Sequence, residues 1–289
     1  MRRYIPSSLN HLILLIGLSV MIIPIWIVFA SSTHTSLFIN TNGLQFSLGG
    51  NFIENYSNVL FKKAGFFDEI TALKMFFNSF VMATGIATLS VVTSLMAAYG
   101  LVYFKIRYAT FFFWLIFVTL LVPLELRVMP TYVVMSKLNM LNSFAGLIIP
   151  ISASAIATFF FRQFYKSIPE ELLEAAKLDG TNSWKFFIDF LVPLSKTMIA
   201  AVFIFMFVFG YNQYLWPLIM TTTEEYWTVV MGLKTMYGSI SHRFAFVIMS
   251  MIPPVVIIIF LQKWFIQGIF QKFQKGDVLI NLLVIMMEE

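Results

Sequence analysis

Six stretches of this chain are free of Asp, Glu, Lys and Arg and are rich in large apolar side chains: residues 12–30, 76–104, 108–124, 144–161, 197–220 and 244–261. A helix needs roughly 20 predominantly apolar residues to cross a bilayer. Backbone groups in hydrocarbon must be satisfied within the segment, so these runs are expected to be helices. The fold read from them is all-α, a polytopic membrane protein with six transmembrane helices. The second run is long enough to tilt, and the third is shorter than the rest. Composition agrees: 59% of the 289 residues are hydrophobic and 11% are charged, with a mean hydropathy of +0.84. A soluble domain of this size could not bury so much apolar surface.

Orientation follows from Lys and Arg, which favour cytoplasmic loops. With the N-terminus inside, the cytoplasmic side receives Arg2, Arg3, Lys105, Arg107, Arg162, Lys166, Lys177, Lys185, Lys196, Lys263, Lys272 and Lys275. The outer side receives Lys62, Lys63, Lys74, Arg127, Lys137, Lys234 and Arg243. Both termini are then cytoplasmic. The first run, preceded by Arg2 and Arg3 and ending Val28-Phe29-Ala30, also resembles a signal peptide. Its apolar core exceeds the typical length of about 7–15 residues, which favours a retained helix. Three segments follow: 1–75 with the first helix and an outer loop rich in Asn, Gly and Ser, 76–271 as the core, and 272–289 as a cytoplasmic tail.

Several chemistries are excluded. Cysteine is absent, so there is no thiol nucleophile or thiolate metal site. His11, His34 and His242 show no metal-ligand spacing. No glycine precedes a lysine, so the phosphate loop Gly-x-x-x-x-Gly-Lys is missing. The net charge of +5 reads as membrane topology rather than nucleic-acid binding. The charge-free runs argue against a membrane-embedded enzyme and a proton-coupled transporter. A secondary transporter often shows repeated halves, and none is evident.

The runs also carry small residues. Ala83/Ala87, Ser90/Ser94 and Ser94/Ala98 lie four apart in the second run, and Ser152, Ala153, Ser154, Ala155 and Ala157 cluster in the fourth. Such spacing allows close helix approach, either within the chain or against a partner.

The loop at about 166–196 is the most informative segment. Ser167 and Glu170 have capping-box spacing, and Pro169 suits a first turn. Glu170, Glu171 and Lys177 complement a helix dipole, and Glu174 can pair with Lys177. Gly180 suits a left-handed helix end. A second amphipathic segment starts near Thr181 or Asn182 and runs to Pro193. The expectation is a cytoplasmic helix-turn-helix. Its acidic residues disfavour an anionic lipid surface, and its Ala175-Ala176 face suits a groove on a protein.

Glu174, Ala175, Ala176, Gly180, Phe190, Val192 and Pro193 resemble the signature loop of binding-protein-dependent ABC importer permeases, with Phe190 and Val192 where that family usually has Ile and Leu. Asp179 falls inside the same motif. The resemblance extends over about 78–271 and is strongest toward the carbohydrate branch, the maltose-type second subunit. Within that branch the chain is similar to permeases of sn-glycerol-3-phosphate importers, through LVPLELRVMP at 121–130, MLNSFAG at 140–146, FFRQF at 160–164 and YNQYLWP at 211–217. The resemblance implies a bacterial inner-membrane subunit whose loop seats in an ATPase subunit. It implies as partners a second permease forming a heterodimer, two ATP-binding subunits and an external substrate-binding protein. ATP and Mg would be used by the ATPase, and this chain would bind no cofactor. The implied cargo is sn-glycerol 3-phosphate or a glycerophosphodiester, with an oligosaccharide or other sugar as the alternative.

For the substrate path, Asn212, Gln213, Tyr214 and Trp216 fall in the outer half of the fifth run. Polar amides there line a path or make interhelical hydrogen bonds beside an aromatic belt. Arg127 either binds a phosphate bidentately or snorkels as an interfacial cation.

Overall fold

The computed structural model describes residues 7–62, 70–104, 106–178 and 180–273. Arg2, Arg3, Lys63, Lys105, Asp179, Lys275 and the tail 276–289 lie outside these residues. In chain order the elements are α1 (Ser7–Ser32), α2 (Ser36–Asn42), α3 (Phe52–Phe61), α4 (Ala72–Tyr103) and α5 (Ala109–Val118). A 3-10 turn, Thr119–Leu121, precedes α6 (Leu124–Lys137), α7 (Phe144–Ser152), α8 (Ala155–Lys166) and α9 (Glu170–Leu178). Then come α10 (Ser183–Phe186), a π turn Phe187–Leu191, α11 (Val192–Leu194), α12 (Lys196–Tyr211) and α13 (Leu215–Met220). A second 3-10 turn, Glu224–Tyr226, leads to α14 (Val229–Thr235) and α15 (Ile240–Phe273). Among the described residues there is no strand, as the sequence implies.

Three helical stretches are long and apolar enough to cross a membrane unaided: His11–Ser32, Ala72–Tyr103 and Ile240–Gln262. Three further pairs qualify when each is counted as one bent span, for up to six in all. These are α5–α6 with a 104° bend, α7–α8 with 48°, and Ser183–Leu194 followed by α12 with 74°.

Three of the runs expected as helices are interrupted. The third run breaks at Pro123, and Val122 before it is extended. Proline has no N–H and disfavours helical backbone in the residue ahead of it. The fourth run breaks at Ala153 and Ser154, both extended, and Ser154 then caps α8 by accepting from the Ala157 N–H at 3.2 Å. The fifth run stops at Tyr211 and resumes at Leu215.

The small residues of α4 explain how the second break is stabilised. Ser90 donates to the Ser152 carbonyl at 2.6 Å and Ser94 to the Ser154 carbonyl at 3.3 Å. Thr158 donates to the Ser94 hydroxyl at 3.2 Å. These hydroxyls satisfy carbonyls released from the helical ladder. Ala83, Ala87, Ser90, Ser94 and Ala98 are all buried within the chain, so the stripe serves internal packing.

The described residues divide into two compact units, Met1–Asn78 with Thr223–Ile252, and Ser79–Thr222 with Pro253–Glu289. In the first, the segment following α1 folds back on the end of that helix. Asn55 donates to the Ser32 and His34 carbonyls at 2.8 and 2.9 Å, and the Gly49 N–H donates to the Thr33 hydroxyl at 2.6 Å. A Cβ on Gly49 would stand 2.6 Å from the Thr33 carbonyl, so the close approach requires glycine. Burial raises the Tyr56 phenol above its ordinary pKa, opposed by its hydrogen bond with Ser32. Asn78 donates to the Glu225 and Trp227 carbonyls at 2.7 and 2.9 Å, tying α4 to the 3-10 turn. In the second unit, α4 packs against the broken helices, and both candidate sites lie there.

Candidate functional sites: a helix-turn-helix loop and a cleft at three helix breaks

The loop at 166–196 forms two helical segments around Gly180. Ser167 does not start the first. It closes α8 instead, donating its hydroxyl to the Phe164 carbonyl at 2.7 Å, so the capping box does not form. Helix α9 begins at Glu170 after Pro169, with Glu170 and Glu171 in its first turn and Lys177 in its last. Its end is of the Schellman type. Gly180 has φ +72°, its N–H reaches the Lys177 carbonyl at 3.0 Å, and the Thr181 N–H reaches Ala176 at 3.0 Å. These two bonds satisfy carbonyls that the last helical turn leaves open. Asn182 caps α10, accepting from the Lys185 N–H at 2.8 Å.

The π turn follows from Pro193. A proline ring crowds the carbonyl four residues back, here Asp189, and supplies no donor to it. The backbone widens, and the Val192 N–H bonds to Phe187, five residues away. Local π geometry is a standard way for a helix to absorb such a conflict. The chain then turns at Ser195, which is buried and donates to the Leu191 carbonyl at 2.6 Å.

Glu174 and Ala175 are exposed while Ala176 is buried, so α9 rests on the protein through one face and presents the other. Leu178 is 89% exposed and Trp184 62% exposed beside it in sequence. Acidic and large apolar groups therefore share the loop's outer surface. Five of the six loop residues singled out can be placed: Glu174, Ala175 and Ala176 on α9, Gly180 at the turn after it, and Pro193 in α11. Asp179 is outside the described residues.

The second site is a cleft of about 310 Å³ where the three broken helices meet. Its walls include Pro123 from the first break, Ser154 from the second, and Phe209 and Trp216 from either side of the third, together with Arg127 and Thr131 of α6. Irregular backbone at membrane depth is tolerated where it is buried in protein or lines a cavity. Trp216 is buried and donates its indole N–H to the Leu147 carbonyl at 3.1 Å, which fixes α13 on α7.

The cleft brings Arg127 and Trp216 together, whereas Asn212, Gln213 and Tyr214 lie outside its walls. The Asn212 amide donates to the Val208 carbonyl at 2.9 Å, and the Gln213 amide to Phe209 at 3.2 Å. Both amides cap the end of α12.

Residues 90–271 match the family described as the inner-membrane component of binding-protein-dependent transport systems. The chain belongs to this family. The permease is 38% identical over 274 residues to the sn-glycerol-3-phosphate transport system permease protein UgpE of Brucella melitensis, covering 93% of this chain and 97% of that one. It shows the same identity and coverage to UgpE of Rhizobium meliloti, and 38% over 265 residues to UgpE of Yersinia enterocolitica, with 90% and 94% covered. The fold resembles a chain in the crystal structure of a bacterial ABC transporter involved in the import of the acidic polysaccharide alginate. The TM-score is 0.71 at 23% identity, with 92% of the permease and all of that chain covered. The apolar helices and the family together make this a multi-pass inner-membrane protein.

The sequence reading missed how the permease supports its loop. Tyr99 of α4 donates its hydroxyl to the Ser183 carbonyl of α10 at 2.7 Å and packs its ring 4.9 Å from Phe187. Tyr103 meets Phe186 edge-on at 5.5 Å and Tyr165 at 5.9 Å. The sequence signal was a Tyr99/Tyr103 pair at helical spacing together with the adjacent aromatics Phe186 and Phe187. Arg162, counted among the cytoplasmic-side cations, stands on a helix. It continues α8 past the apolar run and is buried with its guanidinium 3.8 Å from the Phe113 ring centroid, a cation–π contact.

Proposed function

We propose that this chain is the translocation subunit of an ATP-driven importer for sn-glycerol 3-phosphate, coupled through α9 and the turn at Gly180. The observation that carries the cargo is the 38% identity, over nearly the full length of both chains, to permeases named for that substrate. In this reading each bent pair counts as one of six spans, and both termini face the cytoplasm. The loop at 166–196 lies on the side where ATP is available and seats in a cleft of an ATPase subunit. Two such subunits use ATP and Mg, a second, different permease completes the path, and an external binding protein delivers the cargo. This chain supplies no ATP site. The exposed Glu174, Ala175, Leu178 and Trp184 support the docking role. Arg127 in the cleft supports a path for an anion.

The test is reconstitution of the complete complex in liposomes with its binding protein. ATPase stimulation is compared for glycerol 3-phosphate, glycerophosphodiesters and maltose. Stimulation by the phosphate-bearing compounds is expected, and stimulation by maltose alone overturns the cargo. Glu174→Lys reverses charge on the docking face and is expected to abolish uptake while the protein remains inserted.

A further inference from the structure

We propose that Tyr99 is the positioning residue that transmits movement of the coupling loop into the membrane helices, a role that rests on the coupling reading above. A docked loop does mechanical work only if its displacement reaches the transmembrane part. Helix α9 offers little for this, since Ala176 is its buried side chain and most of its surface is exposed. The second segment is built differently. Phe186 and Phe187 are buried, and between them they touch Tyr99 and Tyr103, two side chains of the same long helix α4.

The ring contacts are apolar and can slide. The Tyr99 hydroxyl cannot slide without losing its bond, because it is held at 2.7 Å by one carbonyl, that of Ser183 at the first turn of α10. The bond joins the buried Tyr99 to the exposed Ser183, at the edge of the helical core. The hydroxyl therefore fixes the register of α10 along α4.

The other end of the segment is also constrained. The π turn leads directly to Ser195 and to the 74° turn into α12. Tyr165 of α8 lies beside Ser195, with its hydroxyl outside hydrogen-bond geometry. Its ring contacts Tyr103. One cluster thus links α4, α8, α10 and the start of α12. A push on α10 is passed to α4 through Tyr99 and to α12 through the π turn. Tyr103 contributes its ring alone, since its buried hydroxyl has no hydrogen-bond partner among the described residues.

The experiment uses the complete reconstituted importer and measures substrate imported per ATP hydrolysed. This ratio separates coupling from general loss of folded protein. Tyr99→Phe keeps the ring and removes the hydroxyl. Uptake per ATP is expected to fall about three- to tenfold, the range set by one neutral hydrogen bond, while ATPase subunits still co-purify. Tyr103→Phe is expected to match wild type. Phe187→Leu removes the ring that packs 4.9 Å from Tyr99 and steadies its hydroxyl on the Ser183 carbonyl; it is expected to lower the ratio as Tyr99→Phe does, and it decides the matter should Tyr99→Phe fail to assemble. A wild-type ratio in Tyr99→Phe overturns the proposal, as do equal losses in Tyr99→Phe and Tyr103→Phe. Gly180→Val is run alongside. If it blocks uptake and Tyr99→Phe does not, the joint fails while the coupling reading stands; if Gly180→Val is normal, the coupling reading itself fails.

Discussion

At Gly180 one backbone angle sets the turn between α9 and α10. A Cβ added there meets nothing within 4 Å, so space is no obstacle. The difficulty is φ +72°, which costs an L-residue roughly 1–2 kcal/mol, and most for a β-branched side chain. Asn tolerates this region best among non-glycine residues. Uptake is therefore expected to fall in the order Gly, Asn, Ala, Val at position 180, with Val inactive. A series ranked by side-chain size alone, with Ala matching Gly, would show that bulk rather than backbone conformation governs the site. Arg127 makes the complementary case, where chemistry decides. A guanidinium grips a phosphate through two parallel hydrogen bonds, and a lysine does not reproduce that geometry. Arg127→Gln is expected to lower uptake of glycerol 3-phosphate about 10- to 100-fold, the range for losing a charged hydrogen bond. Arg127→Lys should recover only part of it. Unchanged uptake in Arg127→Gln would leave the cation an interfacial anchor.

Among the elements, α4 supports the break between α7 and α8. Ser90 satisfies the Ser152 carbonyl at the break between α7 and α8. Ser90→Ala removes that donor and leaves a buried carbonyl unpaired, a cost of about 1–3 kcal/mol. Thermal unfolding of the purified protein in detergent is expected to show a lower midpoint for Ser90→Ala than for Thr93→Ala, whose hydroxyl bonds only within its own helix, to Leu89 and Ser90. Equal midpoints would mean the break is held by packing alone. This element also shows what a sequence discloses. The apolar runs are legible because hydropathy needs no tertiary information, and Gly180 is legible because a left-handed cap favours one residue type. The break at Pro123 has a local cause and could have been read. The break at Ala153–Ser154 has none: it depends on hydroxyls about 60 residues earlier in the chain. Likewise Asn212 and Gln213 suggest a polar lining, and only the folded chain reveals that their amides are spent on the end of α12.

For the whole molecule the decisive question is the source of energy. A transporter driven by protons needs a side chain in the membrane that binds and releases them, usually a carboxylate or histidine facing the interior. Among the described residues, Arg162 is the one charged side chain that is buried. It lies over the Phe113 ring, and arginine does not lose its proton in proteins. It can fix a helix in place but cannot relay protons. In the proposed coupling, work enters at the exposed loop around Glu174 and Gly180 instead. Liposomes holding the complete importer with ATP inside are expected to keep their uptake rate when an ionophore collapses the proton gradient. Removing ATP while imposing a gradient should stop uptake. Loss of uptake on collapse of the gradient at constant ATP would place the energy input in the helices and contradict coupling through the loop.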